Sequence, residues 1–390
     1  MDKVLKELVR ISKIVGEDPS YIQGGGGNTS AKTDDGKYMY IKASGTALKD
    51  MSSKKGWRRV NIESVVSIIQ DESISRLETY ARETEVVNRL LFACDDDVAD
   101  GSRPSIEAHL HSYLDTYVIH LHPSSVGAYV NAKNGKAELE KLFSDLDLPF
   151  IWVRYADPGF LLAKRISRLI KGYKKEHGRK ARILFLEKHG LLVTANSGSS
   201  CLKLTQKVIA RCNKGLVKPK SGCVGSVSKE LIKEASVCIG KACFDVCGEY
   251  GVVAYYNSDI ISWFMKNKSA AKMLKGTLTP DELLYSNGPA VWVGQLDWRK
   301  LSVSIRAILD KGEKMPVSFL VKDVGLFVTG EKKIVKMIRD VVTSILFIRV
   351  NAIKFGGLAF LNKRQKDFIN KWESEAFRKS MAAGANKKCD

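Results

Sequence analysis

Long apolar runs are missing from this 390-residue chain: stretches such as LFIRVNAI are broken by charge well before the ~20 residues a membrane helix needs. No membrane-spanning helix is therefore expected. The amino-terminal MDKVLKELVRISKIVG is amphipathic and charged throughout, which argues against a secretory leader. No CxxC pair occurs among the eight cysteines, and a chain of this size needs no disulfide staples. Cys243 and Cys247, one helical turn apart among apolar residues, and Cys238 beside them read as buried free thiols in a reduced, cytoplasmic protein. Absent too are the GK[ST] of a P-loop and the GxGxxG spacing of a dinucleotide fold. Nine prolines and 31 glycines are ordinary usage, and 44% hydrophobic with 27% charged residues excludes disordered, collagenous and coiled-coil chains. A globular chain long enough for two cored domains remains.

Charge is unevenly placed. Residues 1–150 carry 19 Lys and Arg against 23 Asp and Glu, whereas residues 151–390 carry 44 against 20. A basic half can attract nucleic acid, a membrane surface or an anionic metabolite. The basic residues of GFLLAKRISRLIKGYKKEHGRK are spread around a helical pattern with no nucleic-acid motif. Solvation of a surface is the better reading, and neither nucleic acid nor membrane is expected as a partner.

Apolar periods of 3.6 predict helices near 2–15, 83–94, 105–114, 158–176, 198–213, 331–353 and 363–379. Between them lie the β-prone runs KYMYIKAS, TYVIHLH, FIWVRY and ARILFLEKHGLLVTA, the last bending at Lys188-His189-Gly190. VKPKSGCVGSVS (217–228) reads as a linker, dividing the chain into domains 1–216 and 229–390. LFLEKHGLLVTA (184–195) lines up with FLVKDVGLFVTG (319–330) at an offset of 135, which points to a diverged duplication. Val324 stands where the first copy has His189.

The six histidines are His109, His111, His120, His122, His177 and His189, and four of them fall between 109 and 122. His120 and His122 lie in an alternating β-prone run, so their i, i+2 spacing projects both imidazoles from one strand face. Two such nitrogens can converge on one ion, and His189, at a bend far along the chain, is the natural third ligand of a site with an open position. For a lone HxH, packing or surface imidazoles are the alternative. Glu107, in PSIEAHLHSYL, is either a first-turn charge or, beside a metal, a general acid/base or a displaceable fourth ligand. His109 and His111 lie on different helix faces and suit core or surface hydrogen bonding; His177 suits a solvated helix end.

QGGGGNTSAK (23–32) and KASGT (42–46) are small-residue loops able to present N–H groups to an anion, with Asn28 and Ser30 adding donors. Lys32 and Lys42 beside them favour a phosphate over a neutral ligand.

In chain order, GGGGNTS, IKASGTAL, RPSIEAHLH, VIHLHP and EKHGLLV resemble the class II aldolase/adducin superfamily over roughly residues 1–215. The SIE form of the glutamate motif and YADPGF (155–160) look like its long rhamnulose-1-phosphate aldolase-type branch. Members of that branch often carry a C-terminal short-chain dehydrogenase domain, and no second glycine-rich βαβ pattern is seen here. The resemblance implies an α/β fold, a central mainly antiparallel sheet flanked by helices, followed by a smaller diverged α/β repeat domain without catalysis. It implies Zn2+, or another divalent transition metal, on His120, His122 and His189, with Glu107 as catalytic acid/base. Gly27, Asn28, Ser44, Gly45 and Ser105 match its substrate-phosphate positions, although Ile106 replaces a second serine. The implied activity is cleavage or condensation of a sugar phosphate of ketose 1-phosphate type through a metal-stabilised enediolate. Epimerases of the superfamily tend to have Asp where Glu107 stands, which tilts the choice toward carbon–carbon chemistry. Epimerisation, decarboxylation of a sugar-acid phosphate, and a non-catalytic adducin-like module are the competing readings. Relatives form symmetric homo-oligomers, with a tetramer favoured, and a neighbouring subunit's tyrosine can join the site. Tyr155 and Tyr173 are candidates by sequence proximity alone. Glu282, in LTPDELLYS, stands where relatives are expected to have a His, which suits a scaffold role for the second half.

Overall fold

In a computed structural model, residues 2–96, 102–220, 222, 225–249 and 251–372 are described. Two compact units emerge. The first comprises residues up to 130, 134–215 and those from 367 onward; the second comprises 131–133 and 216–366.

The first unit holds a seven-stranded sheet built from β1 (Asn28–Lys32), β2 (Tyr38–Lys42), β3 (Trp57–Asn61), β4 (Tyr117–Leu121), β5 (Ile151–Val153), β6 (Ile183–Leu186) and β7 (Gly190–Ala195). Their order is β3-β2-β1-β4-β7-β6-β5. Only β5 and β6 run parallel, so the sheet is antiparallel in character. Met39, Ile41, Val118, Leu184 and Leu192 point from the sheet into a core closed by Ile68, Val86, Leu90, Phe160 and Ile166 of the helices Ile62–Gln70, Thr79–Phe92 and Phe160–His177. The helices Lys3–Gly16, Ser124–Val130 and Gly198–Lys214 also pack on the sheet.

The second unit holds β8 (Val252–Tyr256), β9 (Val291–Val293), β10 (Ser318–Val321) and β11 (Gly325–Gly330), in the order β8-β11-β10-β9. One core lies beneath the helices Asp259–Met265 and Val335–Ala352. A second lies beneath Lys229–Cys247 and Trp298–Leu309. The fold is thus a mixed α/β chain with a large antiparallel-dominated sheet flanked by helices and a second, smaller sheet.

The sequence repeat is a structural one. Tyr117↔Ala195 across β4 and β7 becomes Val252↔Gly330 across β8 and β11, and Leu186↔Gly190 becomes Val321↔Gly325, each shifted by 135. The bend residues Lys188 and Asp323, also 135 apart, are two of the three described non-glycine residues with positive φ, at 56° and 61°. A left-handed residue that is not glycine is costly. Its recurrence in register marks the hairpin as one inherited unit.

Two expected elements change. QGGGGNTSAK reads as loop, yet Asn28–Lys32 is the strand beside β4. Its hydroxyls are satisfied internally: Thr29 Oγ1 lies 2.6 Å from Ser12 Oγ, and Ser30 Oγ lies 2.7 Å from His111 Nδ1. The helix predicted over 105–114 shrinks to Ala108–His111. Its first residues are drawn into bridging with the second loop: Ala43 pairs with Pro104 and Ser105 N–H donates to Lys42 O at 3.0 Å. The helix expected at 363–379 is Lys363–Lys371, residues from 373 lying outside the described part. Cys238 and Cys243 are buried free thiols as expected, but Cys247, at the helix end, is exposed; Cys223 and Cys389 lie outside the described residues.

Candidate metal centre

β4 and the residue just beyond its end deliver two imidazoles: the extended chain puts alternate residues on one face, and His122 follows His120 two positions on. The β6–β7 bend delivers the third, as left-handed Lys188 turns the chain so that His189 N–H donates to Leu186 O at 3.0 Å. The three rings meet tip to tip. His120 Nε2 is 3.2 Å from His122 Nε2 and 3.3 Å from His189 Nε2.

That spacing fits a metal. Three nitrogens about 2.0–2.1 Å from one tetrahedral zinc stand about 3.3–3.4 Å apart. His120 is also prepared electronically: its Nδ1 donates to Leu191 O at 3.0 Å, which leaves Nε2 as the lone-pair nitrogen aimed at the cluster. His120, His122 and His189 form the group among the described residues whose ligand atoms could hold a metal ion together.

Close backbone approach is needed at two points. A Cβ on Gly190 would lie 2.4 Å from Leu121 O and 2.8 Å from the His122 ring. Gly27, at φ +58°, would place a Cβ 2.6 Å from His120 O. Only glycine avoids both the strain and the collision.

Glu107 completes the centre. Oε2 accepts from Asn28 Nδ2 at 2.7 Å and lies 3.4 Å from His120 Nε2. Oε1 is buried with no hydrogen-bond partner, 3.6 Å from His189 Nε2. Burial pushes this carboxyl upward, but the facing His120 and His189 and the Asn28 donor outweigh it and hold it well below the usual carboxylate range. A buried carboxylate with one unpartnered oxygen beside three convergent imidazoles has the geometry of a proton acceptor or of a further ligand oxygen. Asn28 Oδ1 is likewise buried and unpartnered.

The other expected residues divide. Ser44 and Ser105 are brought to the same region, since Ser44 N–H donates to Arg103 O at 2.8 Å and Ser105 Oγ accepts from Glu107 N–H at 3.3 Å. Their backbone N–H groups are spent on the fold, so hydroxyls are what they can offer an anion. Gly45, at φ 81°, turns the second loop. Lys42 is 2% exposed and donates to Gly25 O at 3.2 Å and Thr46 O at 2.7 Å, clasping both glycine-containing loops.

Lys32 departs from the expectation. It lies four residues along β1 from Asn28, about 13 Å at strand rise, and donates to Ser112 O at 2.7 Å and Leu114 O at 2.5 Å. Burial brings its pKa down to about 8. A lysine committed to two carbonyls at the far end of the strand is a structural clamp. His109 and His111 are core residues, kept neutral by burial with pKa values near 4 and 3. His177 is exposed at its helix end, its ring packed at a tilt of 52° against Tyr173. Tyr155 sits beside the β6–β7 hairpin, its N–H donating to Glu187 Oε2 at 2.8 Å. What sequence reasoning missed is the contact of Asn28 with Glu107: the residue looks like an anion donor in a loop, and only the β1–β4 register Asn28↔His120 reveals it as the carboxylate's support.

The second unit keeps the scaffold without the imidazoles. At the offset of 135, Tyr255, Asn257 and Val324 replace His120, His122 and His189. Tyr255 OH and Asn257 Nδ2 both donate to Val324 O, at 3.1 and 3.3 Å. Glu282 is buried against Arg349 at 2.5 Å and accepts from Leu278 N–H, an internal tie.

Comparison with known proteins follows the same division. The family model described as "Class II Aldolase and Adducin N-terminal domain" matches residues 6–213. A curated relative from Bacillus subtilis (strain 168), the "Uncharacterized oxidoreductase YuxG", is 29% identical over 217 residues, 54% of this chain but only 29% of that protein's length. Among solved structures, the N-terminal class II aldolase domain of a conserved protein from Thermoplasma acidophilum shares 23% identity at a TM-score of 0.45, over 55% of this chain and 94% of that one. An L-fuculose 1-phosphate aldolase from Glaciozyma antarctica PI12 shares 11% identity at a TM-score of 0.36, over 59% of this chain and 78% of that one.

Proposed function

This chain belongs to the class II aldolase and adducin family, and from that premise we propose that it is a zinc-dependent aldolase that cleaves or condenses a sugar phosphate of ketose 1-phosphate type. The observation that carries the reading is the meeting of three imidazole Nε2 atoms beside a buried carboxylate with one unpartnered oxygen. Adducin-like modules need no such assembly, and a buried carboxylate without a full set of partners is expensive to keep for structure alone.

His120, His122 and His189 would hold the ion. A divalent metal bound there supplies Lewis-acid stabilisation of negative charge developing on a substrate oxygen. Glu107 takes or returns the proton at carbon, using Oε1, while Asn28 fixes Oε2 and so fixes the direction of the free oxygen. The Ser44 and Ser105 hydroxyls, with the turns at Gly27 and Gly45, receive the phosphate and hold the reacting bond against Glu107. Catalysis is assigned to residues 1–216; residues 229–390 serve as a non-catalytic companion, because Tyr255, Asn257 and Val324 offer no comparable ligand set.

Glu107→Gln tests the assignment. The variant keeps the size of the side chain and its contact with Asn28 but has no proton-accepting oxygen. It is expected to retain metal and lose about 10²–10⁴-fold in kcat on ketose 1-phosphates. Cleavage at the wild-type rate would remove Glu107 from the mechanism.

A further inference from the structure

The 135-residue correspondence shows what the second sheet lacks. β4 is held on both sides, by β7 and by β1, whereas its counterpart β8 pairs with β11 alone and forms the sheet edge among the described residues. We propose that the outer edge of β8, together with the helix Lys229–Cys247 beside it, is a docking site for an extended protein segment that alternates apolar and acidic side chains and adds to β8 as β1 adds to β4.

Backbone register defines the edge. Lys32 N–H donates to Thr116 O, so Thr116, Val118 and His120 turn their backbone groups toward β1. Their counterparts are Gly251, Val253 and Tyr255, while Val252, Ala254 and Tyr256 face β11. Protein sheets usually guard such an edge with charge, proline or brevity. The other edges here do so: β3 carries Arg58 and Arg59, and β5 and β9 are three residues long. β8 reads VVAYY, five residues with no charge.

Beside this edge lies an open groove of about 900 Å³, lined by Lys233, Val237, Lys241 and Phe244 of the neighbouring helix and by Val252 and Val253. Val237 and Phe244, seven residues apart on one helix face, are 47% and 56% exposed, and Val252 at the start of β8 is 52% exposed. Asp245, also at the groove, is paired with Arg306 at 3.1 Å. Lys233 and Lys241 therefore set its charge, and they favour carboxylates on the occupant. A second copy of this chain would instead bring lysine against lysine. Strand addition supplies main-chain affinity, and these apolar side chains and lysines supply selectivity.

The test uses the full chain and a fluorescein-labelled heptapeptide alternating glutamate and valine, followed by anisotropy. Saturable binding is expected, weakened by salt, and absent for the lysine–valine analogue and for a backbone N-methylated version. Val253→Pro removes only an outward N–H, a change tolerated at sheet edges, and should abolish binding. Lys233→Glu with Lys241→Glu leaves the backbone untouched and should weaken binding about tenfold or more. No binding to the wild type, equal binding of the lysine peptide, or binding unaffected by both sets of substitutions would overturn the proposal. So would concentration-dependent self-association abolished by Val253→Pro, which would make the occupant a second copy.

Discussion

Asn28 shows how much rests on single side chains. Its amide donates to the Glu107 carboxylate at 2.7 Å and sits opposite His120 in the β1–β4 register. A buried hydrogen bond to a charged group is worth about 1.5–3 kcal/mol. Asn28→Ala should therefore leave metal content unchanged while lowering kcat by about tenfold or more, because Glu107 then swings off its line. A fall in metal content equal to the fall in kcat would instead make Asn28 a support of the ion. At this scale the site was largely legible. The i, i+2 spacing of His120 and His122, a third imidazole at a bend and an isolated glutamate are patterns that chemistry alone singles out. Lys32 was misleading because adjacency in sequence says nothing about which end of a strand a side chain occupies.

Elements were legible where apolar periodicity governs them and hidden where polar burial does. β1 reads NTSAK and looks like loop; its strand character depends on Ser12 and His111, partners that only the folded chain brings near. Another polar residue placed by tertiary structure is Glu83, which accepts from Phe160 N–H at the start of the helix Phe160–His177 at 3.4 Å. Burial raises its pKa from 4.5 to about 6, against the pull of Arg82. Between those values the folded state binds the proton and the unfolded state has released it, so stability falls as pH rises from about 4.5 to 6. The penalty is fully present above pH 6 and absent below 4.5. Glu83→Gln should remove this part of the pH slope in urea unfolding. An unchanged slope would show that folding leaves the Glu83 pKa where the unfolded chain has it. The slope carries the test, since the variant also deprives buried Arg82 of a 3.2 Å charge partner.

Across the whole molecule, one hairpin-bearing half-sheet has been used twice and equipped once. The strand register, the left-handed bend and the Thr194 and Thr329 backbone bonds to the preceding strand are all preserved at the same offset, while every imidazole has gone from the second copy. The sequence disclosed the hairpin match because its Gly, Leu, Val and Thr stayed in step. It concealed the match of β4 to β8, since YVIHL and VVAYY share almost no residues and only the ladder pairs them. The central claim is that His120, His122 and His189 hold a metal ion together, and metal content tests it most directly. Elemental analysis of the purified chain after zinc supply should give about one ion per chain. His120→Ala should give none, and Tyr255→Phe should leave the value unchanged. Failure of the wild type to retain zinc, or retention undiminished in His120→Ala, would contradict the account.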